Sequence, residues 1–176
     1  MEAIGVEHMP DRVVGQLRDI RQQLYPGLNT LMVAANAIGT AEFPIAVKAL
    51  EGALAYLQEQ LLPVSRAEEF TLFIAVDGVT GAVDSCQVMK AQHTTIMRMT
   101  GDLAQAIEAA KTDGDVAAYA KYLHPLLYGL YALVRAHLES EDDVYLPLLD
   151  QALSESQVGV LVDNITRVAA GSAAPK

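Results

Sequence analysis

The sequence predicts an all-α protein, an antiparallel four-helix bundle with an additional short helix at its C-terminus. Three observations carry the prediction. Apolar residues recur at helical spacing through four long stretches. Ala, Leu and Val are abundant while Trp is absent and Phe scarce, a composition suited to closely packed helices. Gly and Pro signals, such as Gly39, Asp77-Gly78 and Asp113-Gly114, separate the stretches.

The first ten residues read as a flexible lead ended by Pro10, residues 11–170 as one helical domain, and residues 171–176 as a disordered tail. Helix 1 is expected from Asp11 to about Gly39 on Val14, Leu17, Ile20, Leu24, Leu28 and Leu31, with a kink at Pro26-Gly27. Helix 2 opens between Thr40 and Pro44, runs through Leu50, Leu57 and Leu61, bends at Pro63 and resumes to Asp77-Gly78. Helix 3 runs from about Val83–Ser85 to Ala110, carrying Met89, His93 and Ile96. Helix 4 runs from Val116 to about Asp143, with Pro125 inside it, and continues to Leu153. The last helix lies in SESQVGVLVDNITRVAA, with Ser154 or Ser156 as its cap.

At 176 residues the chain makes one domain with a full core. Hydrophobic residues at 52% against 19% charged exclude disorder as the class. A net charge of −10 argues against nucleic acid and against an anionic membrane surface, which both require basic clusters. Cys86 stands alone, so no internal disulfide framework is expected. The N-terminus lacks a basic region followed by an apolar run, and no uncharged apolar stretch reaches about 18 residues. A cytoplasmic location is the corresponding expectation.

The chemistry concentrates on three helices. His137 and Glu141 stand four apart on one face of helix 4, amid Leu130, Val134 and Leu148. His93 lies on helix 3, flanked by Cys86, Met89 and Met97. Glu68 and Glu69 lie on helix 2 in LLPVSRAEEF, where a buried carboxylate is costly without a cation or a hydrogen-bond partner. Taken singly, each has a bland reading: core histidines, solvated glutamates, and packing for Cys86, Met89 and Met97. Together, two imidazoles and two carboxylates make a candidate iron, manganese or zinc site.

Three segments carry a resemblance: LLPVSRAEEFTLF at 61–73, MKAQHTTI at 89–96, and LYGLYALVRAHLESEDDVYLPLLD at 127–150. In order and spacing they resemble the hemerythrin-like (HHE cation-binding) family, over about residues 16–152, and the last segment resembles the ending of bacterial members. The resemblance implies a bundle that normally holds a carboxylate-bridged non-heme di-iron centre. Carried over by motif, it implies His93, His137, Glu68 and Glu141 as metal ligands. It also implies departures: Met89 stands where a further histidine is common one turn before His93, and Gly27 and Val64 are lost positions where the family pattern has histidines. Both lost positions belong largely to one iron. Gln23 and Gln60 lie one turn before them, and His8 and His124 are further candidates for replacement; Tyr25 is expected to face away.

The expected function is a reduced, mononuclear non-heme iron site that binds or senses a small gaseous or redox ligand such as dioxygen, nitric oxide or peroxide, more a binding protein than an enzyme. One alternative is a metal-free pseudo-hemerythrin that serves as an interaction or regulatory module with a protein partner. Another is an apolar ligand in the space left at Gly27 and Val64, between Leu24, Leu57 and Leu61. No Gly-rich phosphate loop and no Ser-His-Asp arrangement is identifiable.

Overall fold

A computed structural model describes residues 14–172 of the chain. The described residues are mostly helical, without strands, and form four antiparallel arms plus a fifth helix. The first arm is α1 (Gly15–Gln22) and α2 (Tyr25–Ala37). The second is α3 (Phe43–Ala55), a π-helical stretch Tyr56–Leu61, α4 (Leu62–Phe70) and α5 (Leu72–Thr80). The third is the uninterrupted α6 (Gln87–Asp113). The fourth is α7 (Ala120–Ser140), a second π-helical stretch Glu141–Tyr145, and α8 (Leu146–Ala152). Helix α9 (Glu155–Ser172) packs on α4 and α1. Each arm touches the next, α2 on α3, α3 on α6, α6 on α7 and α7 on α2, so the bundle closes on itself.

The breaks follow local chemistry. Pro26 cannot donate a backbone hydrogen bond, and α1 gives way to α2 at Gln23 and Leu24, just before it. The bend expected at Pro63 is taken up one turn earlier by the wider π turns of Tyr56–Leu61. A further break at Thr71, where φ is −134° and ψ −72°, divides α4 from α5. Helices α5 and α6 end on Gly81 and Gly114 with φ of 67° and 68°, left-handed positions that suit glycine.

The C-terminal helix is 18 residues long. Ser154, rather than Ser156, caps it: Gln157 N donates to Ser154 Oγ at 3.4 Å while Gln157 Oε1 accepts from Ser154 N at 2.9 Å. Gly171 and Ser172, the first two residues of the expected tail, belong to this helix. The lead at residues 1–10, His8 and residues 173–176 lie outside the described residues.

The interior has two apolar clusters. The larger gathers Leu24, Leu31, Leu50, Leu61, Ile96, Leu103, Leu130 and Val134. The smaller gathers Leu17, Ala67, Phe73, Met89, Leu146 and Leu149, with Val158 and Leu161 of α9. Between them, about one turn from each along every arm, lie Arg21, Glu68, His93, His137 and Glu141, all buried. Two apolar clusters thus cap the charged layer at both ends, and the low dielectric they create strengthens the electrostatic interactions inside it.

Candidate metal centre

Glu68, His93, His137 and Glu141 come together as expected, with one ligand atom of each lying within 4.8 Å of the others. His93 Nε2 is 2.9 Å from His137 Nε2, 3.7 Å separates His93 Nε2 from Glu68 Oε2, and 3.7 Å separates His137 Nε2 from Glu141 Oε1. Four donors from α4, α6, α7 and the π stretch therefore face one small volume. The π stretch begins at Glu141, so the wider turn lies at the residue that delivers the second carboxylate.

The outer edges of the imidazoles are fixed separately. His93 Nδ1 pairs with Glu69 Oε1 at 2.9 Å, and His137 Nδ1 pairs with Gln92 Oε1 at 3.0 Å. Both oxygens are acceptors, so each Nδ1 carries the proton and each Nε2 presents a lone pair inward. Phe73 stacks on the His93 ring at 5.4 Å and holds its orientation.

The fifth member escaped the sequence reading. Arg21 of α1 donates from Nε to Glu141 Oε2 at 2.8 Å and from its terminal nitrogens to Glu68 Oε1 at 3.1 Å and the Leu17 carbonyl at 3.3 Å. Each carboxylate thus gives one oxygen to the guanidinium and turns the other toward the histidines. Burial opposes the charge on Arg21, yet Glu141 and Glu68 outweigh it and hold the guanidinium protonated above its ordinary value. A signal was present: Arg21 occupies a core position in the series Val14, Leu17, Arg21, Leu24, Leu28.

One guanidinium offsets one of the two carboxylates. Burial, followed by the Glu141 charge, pushes the Glu68 carboxyl well above its usual range, against the pull of Arg21. Burial, with Arg21 adding to it, pushes His137 down to about 4, and burial followed by His137 lowers His93. Electrically the layer favours neutral imidazoles and a proton or cation between the carboxylates.

That arrangement fits a bound cation. Among the described residues Glu141 Oε1 is buried without a hydrogen-bond partner, an acceptor left open. Two inward lone pairs 2.9 Å apart repel unless a proton or a metal ion lies near both. Two imidazole nitrogens and two carboxylate oxygens suit first-row transition metals.

The other candidates do not join. Gly27 packs against a ring: a Cβ built there would sit 2.0 Å from Tyr56 Cδ2. The space expected at Gly27 is filled by Tyr56, and Leu24, Leu57 and Leu61 are buried in the larger apolar cluster, so the apolar-ligand reading is corrected. Gln23 and Gln60 are exposed and, with the half-buried Val64, line a surface groove against α9 rather than the core. His124 Nε2 pairs with the Ala35 carbonyl at 3.0 Å, away from the centre. Met97 is exposed, whereas Cys86 and Met89 pack in the smaller cluster, where burial raises the Cys86 thiol to about 11. The Tyr25 hydroxyl donates to Asp142 Oδ2 at 2.9 Å, beside Glu141 in the chain.

Among the described residues no helix is long and apolar enough to cross a membrane. The hemerythrin HHE cation-binding domain family matches this chain over residues 13–149. No curated protein matches, and no solved structure matches.

Proposed function

The chain belongs to the hemerythrin HHE cation-binding family, and on that premise we propose that it binds one iron ion through His93, His137, Glu68 and Glu141, and uses it to bind or sense a small ligand. Arg21 is the observation that carries the count of one. The guanidinium already takes the second oxygen of both carboxylates, so the positive charge that a second metal would bring is supplied by protein. The His93 and His137 donors remain for a single ion. Iron held here would supply coordination positions at which dioxygen, nitric oxide or peroxide can bind.

The residues around the ion have defined tasks. Glu69 and Gln92 hold the two imidazoles in the tautomer that presents Nε2. Arg21 keeps both carboxylates turned inward. The two apolar clusters cap the layer at both ends of the bundle.

The competing reading is a metal-free bundle with a protein partner. It draws support from the same network, since Arg21 and a proton on Glu68 neutralise the layer without metal. Metal analysis separates the two. Protein produced with iron and freed of loose metal should retain about one equivalent, and His93→Ala and His137→Ala should each lower it, since losing one of four ligands removes much of the affinity. Occupancy near zero in the unsubstituted protein would favour the metal-free bundle.

A further inference from the structure

A cavity of about 290 Å³ lies between α4 and α6 and has His93 and Glu69 in its wall. Leu62, Phe70 and Met97 give it apolar sides. Glu69 belongs to both the cavity and the charged layer: its carboxylate is 34% exposed, yet accepts from His93 Nδ1 at 2.9 Å. Ser65 also lines the cavity and is only 3% exposed. Helical hydroxyls ordinarily return to a carbonyl one turn back, as Thr71, Thr94 and Thr100 do here. Ser65 makes no such bond among the described residues, so its hydroxyl is free to donate into the cavity.

We propose that this cavity is the entry and selection site for the ligand of the metal centre, and that the ligand is a small uncharged molecule of a few heavy atoms able to accept a hydrogen bond. The proposal rests on the metal reading above. Size excludes bulky substrates, and the apolar walls favour an uncharged guest. Ser65 offers the donor. The Glu69 carboxylate stands against the His93 imidazole in the cavity wall and repels anions there. Arg66 is at the exposed rim, where solvent and salt screen it.

The test uses the full chain loaded with iron and stopped-flow absorbance. Met97 is 47% exposed, so Met97→Trp can fill the cavity from the surface side without disturbing the core. Nitric oxide association with the ferrous protein should slow about tenfold in Met97→Trp with iron content unchanged. Thr94→Trp supplies a second obstruction if the first variant folds poorly, and Val33→Trp, on an exposed face of α2, should leave the rate unchanged. Glu69→Gln should speed azide binding to the ferric protein several-fold and change nitric oxide binding less. Unaltered nitric oxide rates in iron-replete Met97→Trp and Thr94→Trp would overturn the proposal, as would equal effects of Glu69→Gln on both probes. A chain that takes up no iron would overturn the metal reading and this one together, and iron analysis detects that before any ligand is mixed.

Discussion

Two levels of the same bundle solve the burial problem in opposite ways. Around Gly27 and Tyr56 the arms pack hydrocarbon and one aromatic ring, whose buried hydroxyl has no hydrogen-bond partner among the described residues, and glycine is required because the ring occupies the place of a side chain. About two turns away, around Arg21, the arms bury a guanidinium, two carboxylates and two imidazoles. The first level stabilises the fold by excluding water. The second costs stability unless its charges are matched, and its geometry is intelligible as a place for a cation. Helix 1 thus lost a ligand at neither point in the sense the motif suggests: it contributes Arg21 to the charged level and a gap for Tyr56 to the apolar one.

The largest effect should come from unbalancing the charged level. Arg21→Leu leaves two buried carboxylates without their shared cation and should lower the stability of the metal-free protein by about 3–5 kcal/mol in urea unfolding. Arg21→Lys should recover only part, because an ammonium cannot span both carboxylates as the fork does. If Arg21→Leu were neutral without metal, the two levels would not differ as described. At the apolar level, Gly27→Ala drives a methyl into the Tyr56 ring and should cost about 1–3 kcal/mol. Tyr56→Leu in the same chain should return part of that loss, so a double-mutant cycle measures the contact directly.

A pH comparison sharpens the contrast further. The folded pKa of Glu68 lies above its unfolded value, so its contribution to stability is present below the unfolded carboxyl pKa and is lost as pH rises through the folded one. Metal-free protein should therefore lose stability relative to Glu68→Gln as pH rises from about 5, at up to roughly 1.4 kcal/mol per unit. Equal slopes for the two proteins would mean that Glu68 retains no proton. The smallest effect should be at the cap of α9, where Ser154→Ala should cost about 1 kcal/mol and leave metal content unchanged.

Periodicity was enough to place the four arms, because each buries a continuous apolar stripe, and the Pro and Gly signals marked most breaks. The π turns were not legible: they depend on how Tyr56–Leu61 and Glu141–Tyr145 fit their neighbours, and no residue type encodes them. The four clustered residues were found through spacing and family resemblance. Arg21 was not legible from the motif, because a ligand pattern marks the donors of a metal site and a guanidinium bonded to its carboxylates is not a donor. Gln23 and Gln60 were misplaced because the break at Gln23–Leu24 and the π turn each rotate the helix face that a straight helix would present inward.

The central claim is that one metal ion lies on the histidine side of a carboxylate pair whose other side is occupied by Arg21. Metal stoichiometry in the unsubstituted chain and in Arg21→His tests it most directly. The account predicts about one equivalent of iron in the former, and a rise above one in the latter, where an imidazole replaces the guanidinium between the same carboxylates. Two equivalents in the unsubstituted chain, or none, would contradict it.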